Sequence, residues 1–113
     1  MEQQIIAAIK SVLPNVEVYN DFAGTDPTSP YVVIQRVGGE GQLYLDKHTK
    51  GGYQVRLQVA VWAADRITAN NSALLIESAI TELPQATALG AAVADFDEDT
   101  NLRGMRQDFS ILI

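Results

Sequence analysis

One stretch constrains the fold more than any other: residues 51–63, which read GGYQVRLQVAVWA. From Tyr53 to Val61 every second residue is apolar, while the residues between them include Gln54, Arg56 and Gln58. Successive side chains of a strand point to opposite faces, so this alternation predicts a strand with one apolar face. In a helix the same apolar residues would be scattered around the cylinder. The chain is therefore expected to form a sheet with one apolar and one polar side.

Two other segments have helical periodicity. Residues 2–13 carry Ile5 and Ile9 on one stripe, and Pro14 ends the segment. Asp65 can cap a second helix that runs to about Leu83. Its stripe steps by four and three residues and consists of Ala69, Ala73, Ile76, Ile80 and Leu83. Both helices have one apolar side that must be covered.

The remaining apolar runs predict four further strands, at residues 16–19, 31–37, 91–97 and 102–113. In the last of these, Gln107 interrupts the apolar parity. The predicted order is α-β-β-β-α-β-β within a single domain, residues 1–113. Two amphipathic helices and one apolar sheet face make an α+β two-layer sandwich, with a mixed or antiparallel sheet and both helices on one face.

Composition excludes several classes of protein. The chain has 113 residues, no cysteine and a formal net charge of −6. Its eight Lys and Arg residues are dispersed, which argues against sequence-specific binding of nucleic acid. The N-terminal residues do not form a signal peptide, and no apolar run is long enough to span a membrane. We expect a soluble protein made in the cytoplasm.

A long connection separates the second and third predicted strands. Residues 38–52 begin and end with glycines, whereas an ordinary hairpin loop has about two to five residues. The glycines at residues 38–41 are suited to a hinge. Leu43, Tyr44 and Leu45 are apolar residues in a loop, and two explanations stay open: contacts with a partner, or packing of the loop within the monomer.

Candidate reactive groups are few. His48, the only histidine, lies in the same connection, so neither a histidine-based triad nor a two-histidine metal site can form. We expect it to be exposed to solvent. The sharpest charge feature is the cluster of Asp95, Asp97, Glu98 and Asp99, which either supplies oxygens to a hard cation or, as the favoured interpretation, forms a solvated turn.

The polar face of the sheet carries the other candidates. Trp62 falls on this face and is either packed under a loop or exposed to a partner. Arg56 and Arg106 share the face and are candidate interface residues. Arg56 and Asp108 are expected to form a cross-strand pair.

Several segments together resemble the small tail completion proteins of long-tailed bacteriophages and prophages, which look like relatives of the tail terminator proteins. The resemblance covers nearly the whole chain and is carried by residues 30–33 (PYVV), 37–39 (VGG), 52–63 (GYQVRLQVAVWA), 97–100 (DEDT) and 106–111 (RQDFSI).

The resemblance implies a structural protein of the virion, without enzymatic activity or cofactor. Such a protein forms a hexameric ring that caps the tail tube, stops its polymerisation and joins it to the head–tail connector. It would act in the tail or neck after assembly in the host cytoplasm. Leu43, Tyr44, Leu45 and His48 would then contact a partner, and the acidic cluster would line the lumen of the ring, where like charge lets DNA pass.

Two alternatives remain at this level. A head–tail adaptor of the neck would have a similar size and a similar mixture of helices and strands. Less in keeping with the residues, a small metal-dependent enzyme would use the acidic cluster. Copurification with the tail tube protein would indicate a tail terminator, and copurification with the connector a neck adaptor. A thermal-shift titration with divalent cations tests the metal-dependent enzyme.

Overall fold

The computed structural model describes residues 2–24, 27–41 and 53–112. The elements follow the predicted order and are α1 (Glu2–Val12), β1 (Glu17–Asn20), β2 (Tyr31–Gly41), β3 (Tyr53–Ala63), α2 (Arg66–Thr81), β4 (Ala86–Asp97) and β5 (Leu102–Leu112). Within these residues, neither helix has the length and apolarity needed to cross a membrane. The predicted α+β class is confirmed.

The five strands form one mixed sheet in the order β1-β2-β3-β5-β4. Strand β1 runs parallel to β2, and the other neighbouring strands are antiparallel. Strand β3 therefore lies at the centre, with β2 and β5 as its neighbours. This position explains the strict alternation of its sequence, because one of its faces is covered from Val55 to Ala63.

The core lies between the helices and one face of the sheet. Val55, Leu57, Val59 and Val61 of β3 are all buried, as the alternation predicts. Leu57, Val59 and Val61 belong to one cluster with residues from both helices and from β5, namely Ile5, Ile9, Ala73, Ile76, Ile80, Phe109 and Ile111. Burying one large aliphatic side chain contributes about 1.5–3 kcal/mol, so this cluster supplies the main stabilisation of the sandwich.

Helix α2 begins at the predicted cap. Asp65 has extended backbone angles, and its carboxylate accepts hydrogen bonds from the Thr68 backbone N–H (2.8 Å) and the Thr68 hydroxyl (3.1 Å). These bonds satisfy a donor that has no partner within the helix. They also lower the pKa of Asp65 below its ordinary 3.8, the backbone bond being the larger cause.

We expect Asp65→Ala to lower the melting temperature at neutral pH. Because the pKa of Asp65 is lowered in the folded state, its contribution is present above the unfolded pKa and is lost as pH falls through the folded pKa. The gap between wild type and Asp65→Ala should therefore close below about pH 3.8. Asp65→Asn keeps a capping oxygen and is the control, with a melting temperature close to wild type at neutral pH. Equal melting temperatures of wild type and Asp65→Ala at pH 7 would contradict the capping role.

Strand β2 is longer than predicted. The segment 38–41, expected to be a hinge, continues the strand and pairs with β3 as far as Gly41 opposite Tyr53. Between Arg36 and Gly38 the register shifts by one residue, which leaves Val37 unpaired in a β-bulge. Gly38, the next residue, has φ 146°. The connection between β2 and β3 is thereby shortened to residues 42–52, which lie outside the described residues.

Strand β4 begins at Ala86, earlier than the predicted residue 91. Its register with β5 shifts between Leu89 and Val93, and Gly90 has φ 83° in this irregular segment. The side-chain amide of Gln107, which is buried, donates to the Gly90 carbonyl (2.7 Å) and to the Glu77 carboxylate. The irregularity of β4 therefore explains why a glutamine interrupts the apolar face of β5.

Candidate interaction site

The sheet face opposite the helices is polar and is not covered by any of the described helices. The cross-strand pair predicted there is confirmed: the Arg56 guanidinium lies 2.7 Å from the Asp108 carboxylate. Arg56 is directly opposite Ser110, so the ion pair is diagonal across β3 and β5. With the Arg56 side chain 54% exposed, such a pair contributes about 0.2–1 kcal/mol. Arg106 is exposed on the same face, opposite Val93 of β4.

Trp62 lies at one end of this face and is partly buried. Its register partner on β5 is Gly104, and a Cβ atom at that glycine would come within 2.7 Å of the indole ring. The ring therefore covers the backbone of Gly104, and this close approach requires a glycine. Trp62 thus packs on the sheet and is partly accessible to solvent, and the two interpretations from the sequence, packing under a loop or exposure to a partner, stay predictions.

Trp62 and Tyr31 line a groove of about 550 Å³. Tyr31 opens β2, lies directly opposite Trp62 and meets the Tyr19 ring edge to face, with centroids 6.1 Å apart. The segment after β1 also lines it, and the Phe22 side chain there is 75% exposed. Leu102, at the start of β5, is a further lining residue. An aromatic groove open to solvent is typical of a surface that binds another molecule.

Two carboxylates border the groove. Asp21 lies in the segment after β1, where its backbone N–H donates to the Ile34 carbonyl (2.8 Å). Asp97 is at the end of β4. Burial, and second to it the negative charge of Asp97, raises the pKa of the Tyr31 hydroxyl. None of the described residues that line the groove is basic, so the groove has a negative potential beside its aromatic rings.

The acidic cluster is divided between two elements: Asp95 and Asp97 lie at the end of β4, and Glu98 and Asp99 lie in the turn that leads to β5. The Asp97 carboxylate accepts from the backbone N–H of Asp99 (3.1 Å), and the Asp97 carbonyl accepts from that of Asn101 (2.8 Å). Glu98 is exposed, and the Asp95 carboxylate accepts from the next backbone N–H. Across the described ranges, no three acidic or histidine side chains are gathered in a geometry suited to a metal ion.

A second surface was not predicted from the sequence. On the outer side of α2, Ile67, Leu74 and Leu75 are 74%, 59% and 46% exposed. Their spacing of seven and eight residues gives a stripe on the side of the helix opposite the buried one, since a helix turns about once every 3.6 residues. Asn71 and Ser78, which are exposed on the same side of the helix, carry no charge. The sequence signal for this surface is a second set of apolar residues in α2, with helical spacing, beside the set that is buried.

The predicted partner-binding residues are thus divided by the structure. Leu43, Tyr44, Leu45 and His48 lie outside the described residues, so their contacts stay a prediction. Trp62 and Asp97 are brought together at the groove, whereas Arg56 and Arg106 lie farther along the open face. Phe22 and Asp21 were missed, because their segment carries only turn-forming signals in sequence.

Comparisons with known proteins are consistent with this geometry. The family model described as tail completion protein gp17 matches residues 5–113. A chain of a solved structure titled "Virion of native gene transfer agent (GTA) particle" is 18% identical, with a TM-score of 0.61; the match covers 98% of this chain and 89% of that one. At this identity the likeness shows a shared fold. A search of curated proteins finds no match.

Proposed function

The chain belongs to the family of tail completion protein gp17, and from this premise we propose that it forms a ring that caps the tail tube and joins it to the head connector. The observation that carries the proposal is the extent of the family match, from Ile5 to the last residue. The family places the protein in the tail or neck of a phage-like virion. What we propose beyond the family is that the protein forms a ring, caps the tail tube and binds the connector.

The surface of the molecule supports a role in assembly. Isolated exposed apolar residues are ordinary, but Ile67, Leu74 and Leu75 are grouped on α2, and Phe22 lines the aromatic groove. A ring subunit needs at least two contact surfaces, since a head-to-tail contact joins two different patches of successive copies. The α2 stripe and the groove lie on opposite layers of the sandwich, which separates them enough to serve different neighbours.

We propose that the connection 42–52 is a further contact. Gly41 and Tyr53 are paired, so this segment leaves from the end of the β2–β3 hairpin and starts at a fixed place. Leu43, Tyr44 and Leu45 supply apolar contact area and His48 a polar group, as predicted from the sequence. In this proposal these residues contact a second copy or the tube.

The mass of the protein in solution, measured with and without the tail tube protein, tests this function. We expect a closed oligomer, six copies being the number that the family resemblance implies, and a stable complex with tube ends. The triple change Leu43→Ser, Tyr44→Ser and Leu45→Ser should leave the melting temperature of the isolated chain nearly unchanged and weaken the complex at least tenfold. Copurification with connector proteins alone would instead indicate a neck adaptor.

The lumen hypothesis for the acidic turn stays a prediction. It requires that Asp95, Asp97, Glu98 and Asp99 face the axis of the ring, where repulsion between carboxylates and phosphates keeps DNA from binding. Glu98 and Asp99 are exposed at the tip of the turn, which suits this role. Asp97 differs from them because it borders the aromatic groove.

A further inference from the structure

Two depressions lie at the same end of the sheet, on its opposite faces. The aromatic groove contains Trp62, whose register partner on β5 is Gly104. The second depression, of about 330 Å³, lies between the start of α2 and the strands β4 and β5, and Met105 lines it. Consecutive residues of a strand point to opposite faces, so Gly104 and Met105 separate the two depressions by the sheet itself. A contact between them must therefore join different copies.

The second depression carries one cation beside exposed apolar surface. Arg66, the first residue of α2, lines it together with Ile67, whose side chain is 74% exposed. Arg66 is the only charged residue of the segment 66–76, RITANNSALLI. Among the described residues, no carboxylate lies within ion-pair distance of Arg66. The neighbouring Asp65 carboxylate accepts the capping hydrogen bonds from Thr68 instead.

The groove has the complementary character. Its charged lining residues, among those that the structure describes, are Asp21 and Asp97, and both are acidic. The six-membered ring of Trp62 covers Gly104 on one side, and the indole also lines the groove. A guanidinium over an aromatic ring, with carboxylates beside it, is attracted both by the ring and by the negative charges. The groove is therefore suited to an arginine that is accompanied by apolar surface.

The arginine beside the groove in the same molecule does not fill this role. Arg103 follows the lining residue Leu102, but its guanidinium lies 4.3 Å from the centroid of the Phe96 ring. Phe96 is the register partner of Arg103, and Asp97 is that of Leu102. Because successive residues alternate between the faces, Arg103 and Asp97 point to opposite sides of the sheet. Arg103 therefore leaves the charge of the groove unneutralised.

We propose that the start of α2 of one copy docks in the aromatic groove of the next copy, with Arg66 between the ring of Trp62 and the two carboxylates of the groove. This inference rests on the proposed ring and names the contact that forms it. Ile67 supplies the apolar part of the contact. The helix layer of one copy then faces the sheet layer of the next, as helices and sheet already pack within each molecule. Since two different patches meet, the contact is heterologous and its repetition builds a ring.

Opposite charge reversals test the contact. R66E gives α2 an acidic start and keeps the groove, whereas D97K gives the groove a basic residue and keeps α2. We expect each variant alone to associate at least about tenfold more weakly than wild type in sedimentation velocity, because like charges then meet. An equimolar mixture of the two should recover association, since each start of α2 then meets a groove residue of opposite charge.

Two further variants serve as matched controls. K10E changes the net charge by the same amount as R66E, at an exposed position of α1, and should associate as wild type does. D21N/D97N removes the charge of the groove and keeps a side-chain oxygen that can accept from the Asp99 backbone N–H. Asparagine also tolerates the φ of 67° at residue 21. We expect D21N/D97N to melt close to wild type and to associate more weakly.

Trp62 supplies a local readout, since it is the only tryptophan of the chain. Its emission should change with protein concentration in parallel with the association of the wild type, of K10E and of the mixture. In R66E the emission should stay constant over the same range of concentration. Circular dichroism at the working temperature shows whether each variant is folded.

The outcomes separate this inference from the proposed function. Normal association of folded R66E and D97K, a mixture that does not recover, or constant Trp62 emission while the wild type associates overturns the docking contact and leaves ring formation intact. Normal self-association of D21N/D97N with loss of binding to the tail tube protein also overturns it, because the groove then contacts the tube. Recovery in the mixture with a mass no larger than a dimer supports the contact and contradicts the ring. A wild-type protein that stays monomeric, alone and with the tail tube protein, overturns both.

Discussion

Phe109→Ala is expected to lower the free energy of unfolding by about 3–5 kcal/mol, the usual cost of removing a buried aromatic ring and leaving a cavity. Phe109 is fully buried in β5, directly opposite Leu57 of the central strand β3. Small domains have a total stability of about 5–15 kcal/mol, so this one truncation removes a large share of it. Urea unfolding followed by circular dichroism, at protein concentrations where the chain is monomeric, measures the loss.

The other two phenylalanines are matched controls. Phe96 is 41% exposed, and its ring lies 4.3 Å from the Arg103 guanidinium, a contact that contributes about 0.5–1 kcal/mol. Phe22 is 75% exposed, so Phe22→Ala should change stability by no more than about 0.5 kcal/mol. The predicted order of losses is Phe109, Phe96, Phe22. A loss at Phe22 equal to that at Phe109 would contradict the assigned core.

Phe22→Ala has a second use. Because this residue lines the groove, which the proposed function treats as a contact surface, we expect Phe22→Ala to weaken self-association without changing the stability. We therefore expect Phe109→Ala to lower the stability and Phe22→Ala to weaken the association. This separation is what distinguishes a contact surface from a structural core.

The elements that the sequence predicted well are those with one covered face. The alternation in β3 and the stripe at Ala69, Ala73 and Ile76 each report a side chain's environment directly, because burial on one side forces a periodic pattern. Asp65 was identifiable as a cap because its carboxylate acts within four residues of its own position. Periodicity and helix caps of this kind can be predicted from sequence without knowing the fold.

The errors occur where pairing overrides local preference. Glycine normally interrupts a strand, and so the segment 38–41 was predicted as a hinge. Once β2 is hydrogen-bonded to β3, a bulge at Val37 accommodates the glycine and the strand continues. The same reasoning applies to Gly90, where an irregular register allows β4 to begin at Ala86. Neither bulge can be inferred before the partner strand is known.

The groove was only partly predictable. Trp62 was identified as unusual because a tryptophan fell on the polar face, and Asp97 because it belongs to an acidic run. Their meeting depends on the strand order β1-β2-β3-β5-β4, which brings the ends of β3 and β4 to either side of β5. Asp21 and Phe22 join them from a segment without periodicity. Sequence supplied candidates, and topology decided which of them are neighbours.

Substitutions of Gln107 are expected to have the second large effect on stability. This residue contacts the irregular part of β4 around Gly90. Its amide donates to Gly90 and Glu77 while its side chain lies among Val59 and Phe109. Gln107→Leu keeps a similar volume and loses both hydrogen bonds, leaving two acceptors without this donor. The expected loss of stability is about 1–3 kcal/mol.

Gln107→Glu should cost more at pH 7, about 3–5 kcal/mol, because the introduced carboxylate would face the Glu77 carboxylate and the Gly90 carbonyl oxygen without any donor. Burial and the like charge raise the pKa of the introduced carboxyl in the folded state above its unfolded value of about 4.3. The deficit is therefore largest above the folded pKa and shrinks as pH falls through it, since the protonated carboxyl can again donate a hydrogen bond. Comparing Gln107→Glu with Gln107→Leu at each pH removes the effect of acid on the rest of the protein. A gap between the two variants that stays constant from pH 7 to pH 4 would show that residue 107 does not face these two oxygens.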